Sequence, residues 1–176
     1  MLTRRRLLTL LPAAGLLLTA GCGFRLRGAQ SAKLPYQSLH IALPETADVR
    51  IWLERYINAT GNTELTDNPL EAEAIFQQVA DQRSKTILSV NAQGRVREYR
   101  LQLIYSFRVI TPEGKVLVAP NEVNLTRDIA FDDSNVLAKD LEESLLWRDM
   151  TSDLVNQVMR RLAIIKPKVT KEEDED

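Results

Sequence analysis

Apolar residues recur along this chain with two different periods, and the changes between them set out the order β-α-β-β-β-α. Leu39, Ile41 and Leu43 alternate with Ser38, His40 and Ala42 and stop at Pro44, the two-residue period of a short strand. Val49, Trp52, Leu53, Tyr56 and Ile57 then fall at i, i+3, i+4, i+7 and i+8. That is one helical stripe, which Asp48 can cap and Gly61 ends. Ala74 to Val79 and Thr86 to Val90 read as one long or interrupted strand, and Asn91-Ala92-Gln93-Gly94 supplies the turn chemistry of a hairpin. The return strand has the clearest alternation: Tyr99, Leu101, Leu103, Tyr105, Phe107 and Val109 against Arg100, Gln102, Ser106 and Arg108. Thr111-Pro112-Glu113-Gly114 fits a type I turn, and Val123, Leu125, Ile129 and Phe131 alternate with Asn124, Thr126 and Asp128 in a third long strand. From Ser134 or Asn135, Leu137, Leu141 and Leu145, then Leu154, Val155, Val158, Met159 and Leu162, keep helical spacing as far as Ile164. This last helix is either continuous or broken near Trp147, and Pro167 ends it.

Two amphipathic helices and a sheet with one apolar face have one economical solution, with both helices on that face. The expected architecture is therefore α/β of the α+β type: a two-layer sandwich on a mostly antiparallel four-stranded sheet, spanning residues 36–166. In it Leu103 and Leu141 lie on facing layers.

Ahead of this domain the chain opens with Arg4-Arg5-Arg6, runs apolar from Leu7 to Leu18, and closes on Thr19-Ala20-Gly21 before Cys22. Those are the three regions of a secretory signal peptide, residues 1–21. The apolar run, 12 residues from Leu7 to Leu18 and about 14 with Thr19 and Ala20, is interrupted by Pro12 and Gly15, short of the roughly 20 that a spanning helix needs. Its end resembles the lipobox of bacterial lipoproteins, which implies that Cys22 is acylated and becomes the first residue of the mature chain. Leu18 lies four residues before the cysteine, with Thr19 in the usual leucine slot. The lead Thr3-Arg4-Arg5-Arg6-Leu7-Leu8 also resembles a twin-arginine export signal, leaving the export route open between the two pathways. Gly23 in place of an aspartate implies sorting to the outer membrane. Residues 22–35 read as a tether, too poor in apolar residues for regular structure. Residues 167–176 read as a disordered acidic tail.

Charge narrows the partners. Without residues 1–21 the chain carries 20 basic against 24 acidic residues, and five of the acids are Glu172-Glu173-Asp174-Glu175-Asp176. The remaining body is close to neutral, unlike a polyanion-wrapping protein, so nucleic acid is not an expected partner. Acylation consumes the only cysteine, so no disulfide forms and the fold rests on its core. One histidine and one acylated cysteine cannot furnish a metal site, and no phosphate loop or other cofactor motif is present. His40 reads as a structural strand residue, and Trp52 and Trp147 as core or core-edge residues. A periplasmic hydrolase would need converging nucleophile and base groups that the sequence does not supply. Arg95, Arg97 and Arg100 cluster just after the first hairpin turn, where guanidinium forks suit phosphate or carboxylate groups; edge protection and solubility explain the same cluster.

Cys22-Gly23-Phe24-Arg25-Leu26-Arg27-Gly28, Glu98-Tyr99, Leu137-Ala138-Lys139-Asp140 with Glu142, Asp149-Met150, Asp153, Gln157 and Arg161-Leu162 together make the chain resemble the LptE family of lipopolysaccharide-assembly lipoproteins, from Cys22 to about Ile165. The resemblance implies two helices on a mixed sheet, no enzymatic activity and no cofactor. It also implies a place inside the outer-membrane barrel LptD, with help in its assembly and in delivering lipopolysaccharide to the outer leaflet. Lipopolysaccharide contact falls on Lys139 in the matching segment. The family's second basic contact precedes the hairpin glycine, where this chain has Ala92 and Gln93, so Arg95, Arg97 and the neighbouring Arg100 are candidates for a displaced substitute. An outer-membrane lipoprotein that scaffolds another envelope machine is the alternative; it would share the anchor and sandwich but not the Leu-Ala-Lys-Asp helix segment.

Mass spectrometry of the native protein should show a mature chain that starts at an acylated Cys22. A later N-terminus or an unmodified thiol would overturn the lipobox reading. Three acyl chains hold a membrane firmly where one binds only marginally.

Overall fold

Strands of very unequal length share one sheet. In the computed structural model, which describes residues 33–164, β1 (Ser38–Ala42) is five residues long, β2 (Glu64–Leu65) two, β3 (Ala74–Val90) seventeen, and β4 (Val96–Ile110) and β5 (Val116–Ala130) fifteen each. The order across the sheet is β2-β1-β3-β4-β5. β1 runs parallel to both β2 and β3, and β3, β4 and β5 form the expected antiparallel meander. The sheet is thus mixed and has five strands rather than four. The extra strand, β2, is too short to show alternation in the sequence. The leader, Cys22 and the acidic tail lie outside the described residues.

Both hairpins close in the same way. Asn91 N–H donates to the Arg95 carbonyl (2.8 Å) and Gly94 N–H to the Asn91 carbonyl (2.9 Å); Thr111 and Lys115, and Gly114 and Thr111, repeat the pattern at 2.8 and 2.9 Å. Gly94 (φ 76°) and Gly114 (φ 87°) hold the left-handed position that such a type I turn with a bulge requires. Asn91 Oδ1 also accepts from the backbone N–H groups of Gln93 and Arg95. Pro120, which cannot donate to a ladder, falls on edge strand β5 where its register with β4 shifts.

Helix α1 (Asp48–Thr60) ends at Gly61, whose φ of 64° and N–H to the Ile57 carbonyl close it as the sequence implied. Its start differs: Ala47 is the cap residue and makes no side-chain cap, while Asp48 occupies the first helical position. There the carboxylate favours the positive end of the helix dipole and approaches Arg83 at 4.0 Å. His40 is structural, its Nδ1 2.9 Å from the Thr66 carbonyl, joining β1 to the segment after β2.

Helix α2 (Val136–Ile164) is one continuous element of 29 residues, with no break at Trp147, entered through a 3₁₀ turn at Asp133–Asn135. Only its second half enters the core, through Met150, Leu154, Val155, Val158, Met159 and Leu162. Leu137, Leu141 and Leu145 are 76%, 63% and 57% exposed, so the facing of Leu141 onto Leu103 is wrong. Leu145 and Leu154 are about two and a half helical turns apart and therefore point to opposite sides. The inward positions of the leading half hold Glu143 and Trp147 instead.

Core residues from α1 (Val49, Leu53, Ile57), α2, β1, β3, β4 and β5 form one cluster beneath the two helices, and Leu34 and Tyr36 belong to it. Leu101, Leu103, Tyr105, Phe107 and Val109 of β4 line its floor and are fully buried. Leu103→Ala should cost about 2 to 5 kcal/mol in urea melts through lost burial and a residual cavity, whereas Leu141→Ala should cost less than about 0.5 kcal/mol, as surface changes do. Equal losses would reverse this assignment of faces.

Candidate functional site

A groove of about 940 Å³ with charges of both signs opens at the tip of the β3–β4 hairpin, bounded by that turn, the end of β5, the 3₁₀ turn and the first turns of α2. The ladder carries β4 and β5 to the same end of the sheet, where Phe131 N–H donates to the Arg97 carbonyl (2.8 Å) and the Phe131 ring meets Tyr99 edge-on at 5.3 Å. The chain then turns at Asp132 into α2. Asp132 Oδ1 accepts from the backbone N–H (3.0 Å) and the hydroxyl (2.9 Å) of Ser134, fixing the entry to the helix. That entry brings Lys139 to the groove wall opposite Arg95 and Arg97.

Three of the four basic residues singled out in the sequence therefore meet: Arg95, Arg97 and Lys139. Arg100 does not. It lies on the wet face of the sheet in a two-pronged pair with Asp128, Nε to Oδ1 at 2.8 Å and Nη2 to Oδ2 at 2.9 Å. Hydrogen bonding from Arg100 holds the Asp128 carboxyl below its ordinary pKa, so this guanidinium already has its carboxylate.

Acidic residues that the sequence reading did not place here share the groove. Glu98, Asp132 and Asp133 line it, and Lys139 Nζ donates to Glu142 at 2.8 Å. The last contact was readable from spacing, since positions three apart on a helix are neighbours. Glu98 accepts from the Ser89 hydroxyl at 2.6 Å, and Asp132 is engaged by Ser134. Arg95 and Arg97 form no ion pair among the described residues, which leaves two guanidinium forks open at the rim.

The LptE family model, described as lipopolysaccharide-assembly, matches residues 36–162, the whole of this sandwich. The chain belongs to the LptE family. It is 28% identical over 166 residues to the LPS-assembly lipoprotein LptE of Yersinia enterocolitica, covering 92% of this chain and 78% of that one. With the protein of the same name from Photorhabdus laumondii it shares 26% identity over 162 residues, covering 92% and 88%. Among solved structures, uncharacterized lipoprotein B from Nitrosomonas europaea superposes with a TM-score of 0.68 at 35% identity, over 81% of this chain and 91% of that one. Rare lipoprotein B from Shewanella oneidensis shares the fold, with a TM-score of 0.62 at 21% identity over 72% and 93%. Two helices on a mixed sheet are thus the family architecture, as the sequence resemblance implied. The family consists of envelope lipoproteins of lipopolysaccharide assembly and is non-enzymatic, so no groove residue is assigned a catalytic step.

The Asp132 carboxyl is held below its ordinary pKa by the Ser134 backbone N–H first and the Ser134 hydroxyl second, with attraction from Arg97 and Lys139 added. Its contribution to the helix entry is therefore present above the ordinary carboxylate range and is lost as pH falls through the lowered value. Carboxyl NMR titration should place its midpoint below the model-peptide value of about 3.9. Replacing Arg97 and Lys139 together by Gln should return it only part of the way. Full return would mean that the cations, rather than Ser134, set the shift.

Proposed function

We propose that this protein is an outer-membrane lipoprotein, anchored through Cys22, that plugs and helps assemble the LptD β-barrel. In this reading the groove of Arg95, Arg97 and Lys139 takes the anionic headgroup of lipopolysaccharide during delivery to the outer leaflet. The observation that carries it is the row Leu137, Leu141 and Leu145. These leucines stand exposed on the leading half of α2, in the same helical segment that brings Lys139 to the groove. A monomer gains nothing from three solvated leucines in register, whereas a partner that covers them gains apolar burial. The near-neutral body suits the polar lumen of a large barrel. Arg100, engaged by Asp128 on the wet face of a strand paired on both sides, is left to cross-strand pairing and sheet solubility.

Isolation of the full chain from outer membranes should bring one large β-barrel in roughly equal amount. Changing Leu137, Leu141 and Leu145 together to Gln should remove most of that barrel while leaving the urea midpoint unchanged. Recovery of a different assembly machine, with lipopolysaccharide export intact after depletion, would overturn the reading. In titrations with purified lipopolysaccharide, the triple change Arg95→Ala, Arg97→Ala and Lys139→Ala should weaken binding about tenfold. Exposed charge pairs contribute at most about 1 kcal/mol each, and the effect should shrink as salt rises. Unchanged affinity would remove the groove from the account and leave the barrel contact standing.

A further inference from the structure

We propose that a second site, for the phosphorylated sugars of a glycolipid, lies in the cleft between the two helices. The inference rests on the lipopolysaccharide reading above and gives that ligand a place distinct from the hairpin groove. α1 forms one wall through Trp52 and Arg55, α2 the other through Trp147 and Arg148, and Arg83 and Lys85 of β3 form the floor. The cleft holds about 680 Å³, within the range of small-ligand sites.

The charges are unevenly satisfied. Lys85 donates to Glu143 at 2.6 Å, and Arg83 lies 4.0 Å from both Asp48 and Asp81. Arg55 and Arg148, one on each lip, form no ion pair among the described residues. Arg55 sits 4.9 Å over the Trp52 ring and Arg83 5.9 Å over Trp147, a stacked placement that steadies a guanidinium while leaving N–H groups for an anion. Both indoles are only half-buried, so apolar ring surface remains open between the lips. A bare acyl chain would strip water from the floor cations without replacing it. A bare phosphate would leave the indole surface unused. A phosphorylated saccharide satisfies both, with phosphate on the arginine forks and the apolar faces of the sugar rings on tryptophan.

Trp52 and Trp147 are the only tryptophans in the chain, so its tryptophan emission reports this cleft. Lys139 lies eight residues from Trp147, about 12 Å along the helix, which separates the two sites. The detergent-solubilised full chain is titrated with lipopolysaccharide, with its deacylated form, with its dephosphorylated form and with phosphatidylglycerol. Emission and co-sedimentation are read in parallel. Intact and deacylated lipopolysaccharide should both quench emission. Dephosphorylation, or the double change Arg55→Gln with Arg148→Gln, should raise the midpoint about tenfold, and phosphatidylglycerol should quench weakly. Unchanged emission, an unchanged midpoint in the double variant, or equal quenching by phosphatidylglycerol would overturn the proposal. If emission is unchanged while lipopolysaccharide still co-sediments, the cleft fails and the hairpin groove stands; if nothing co-sediments, both fail.

Discussion

Leu101, Leu103, Tyr105, Phe107 and Val109 give the two helices the one continuous apolar surface on which they can be buried. Each such side chain contributes about 1.5 to 3 kcal/mol relative to exposure, and no disulfide supplements them within the described domain. The surface is central because β4 is the middle strand of the meander, paired along nearly its whole length on both sides. β1 pairs only with the first residues of β3, up to Gln77, and the β3 residues beyond it have β4 as their single neighbour. The core is therefore deep at the end where β1, α1 and the second half of α2 meet, and it thins toward the hairpin tip.

The first of three register shifts between β3 and β4 makes this taper compatible with a continuous sheet. The register of β3 on β4 shifts between Gln78 and Ala80. Before the shift, Phe76 stands opposite Val109 on the core face; after it, Asp81, Arg83, Lys85 and Ile87 stand opposite Tyr105, Leu103, Leu101 and Tyr99. The same face thus changes from apolar to charged along one strand. The charges are tolerable because they stay partly wet and meet partners from the helices above. Lys85 reaches Glu143, and also lies 4.3 Å over the Tyr99 ring. Burial pushes the Glu143 carboxyl up, but hydrogen bonds from Lys85 and Trp147 outweigh it and hold that carboxyl below the ordinary range.

Strict alternation made β4 and β5 legible in the sequence, and a single apolar stripe did the same for α1. The turns were legible too, because Gly94 and Gly114 each occupy the one left-handed position their loops require. Two residues of β2 carry no period to read. The phase error in α2 has a physical cause: Leu137, Leu141 and Leu145 keep helical spacing among themselves, and the core residues from Met150 onward keep it among themselves, but the two rows do not share a face. Helical spacing reports that a stripe exists and not what covers it. Of the site, the cations were readable and their convergence was only partly so. The β4–β5 ladder and the cap at Asp132 bring Lys139 to Arg95 and Arg97, while strand parity puts Arg100 on the other face beside Asp128. Of the groove's carboxylates, Asp132 and Asp133 come from the connection between β5 and α2, whose path no periodicity fixes, while Glu98 comes from β4 itself.

The taper also explains why both candidate binding surfaces lie at one end. Where the core is deep, inward positions are filled by packed apolar side chains, and an uncompensated charge would be excluded. Past the bulge the sheet is narrower and is covered by Glu143 and Trp147 of α2 rather than by packed aliphatic side chains, so arginine, lysine and half-buried tryptophan occupy positions that would be core elsewhere. The exposed leucines of α2 belong to the same half of the molecule. Apolar surface and unpaired cations side by side are poorly suited to a free monomer in water and well suited to a partner that is itself amphiphilic. The length mismatch between β1 and β3 thus separates an end closed by packed apolar side chains from an end that leaves leucines and arginines exposed.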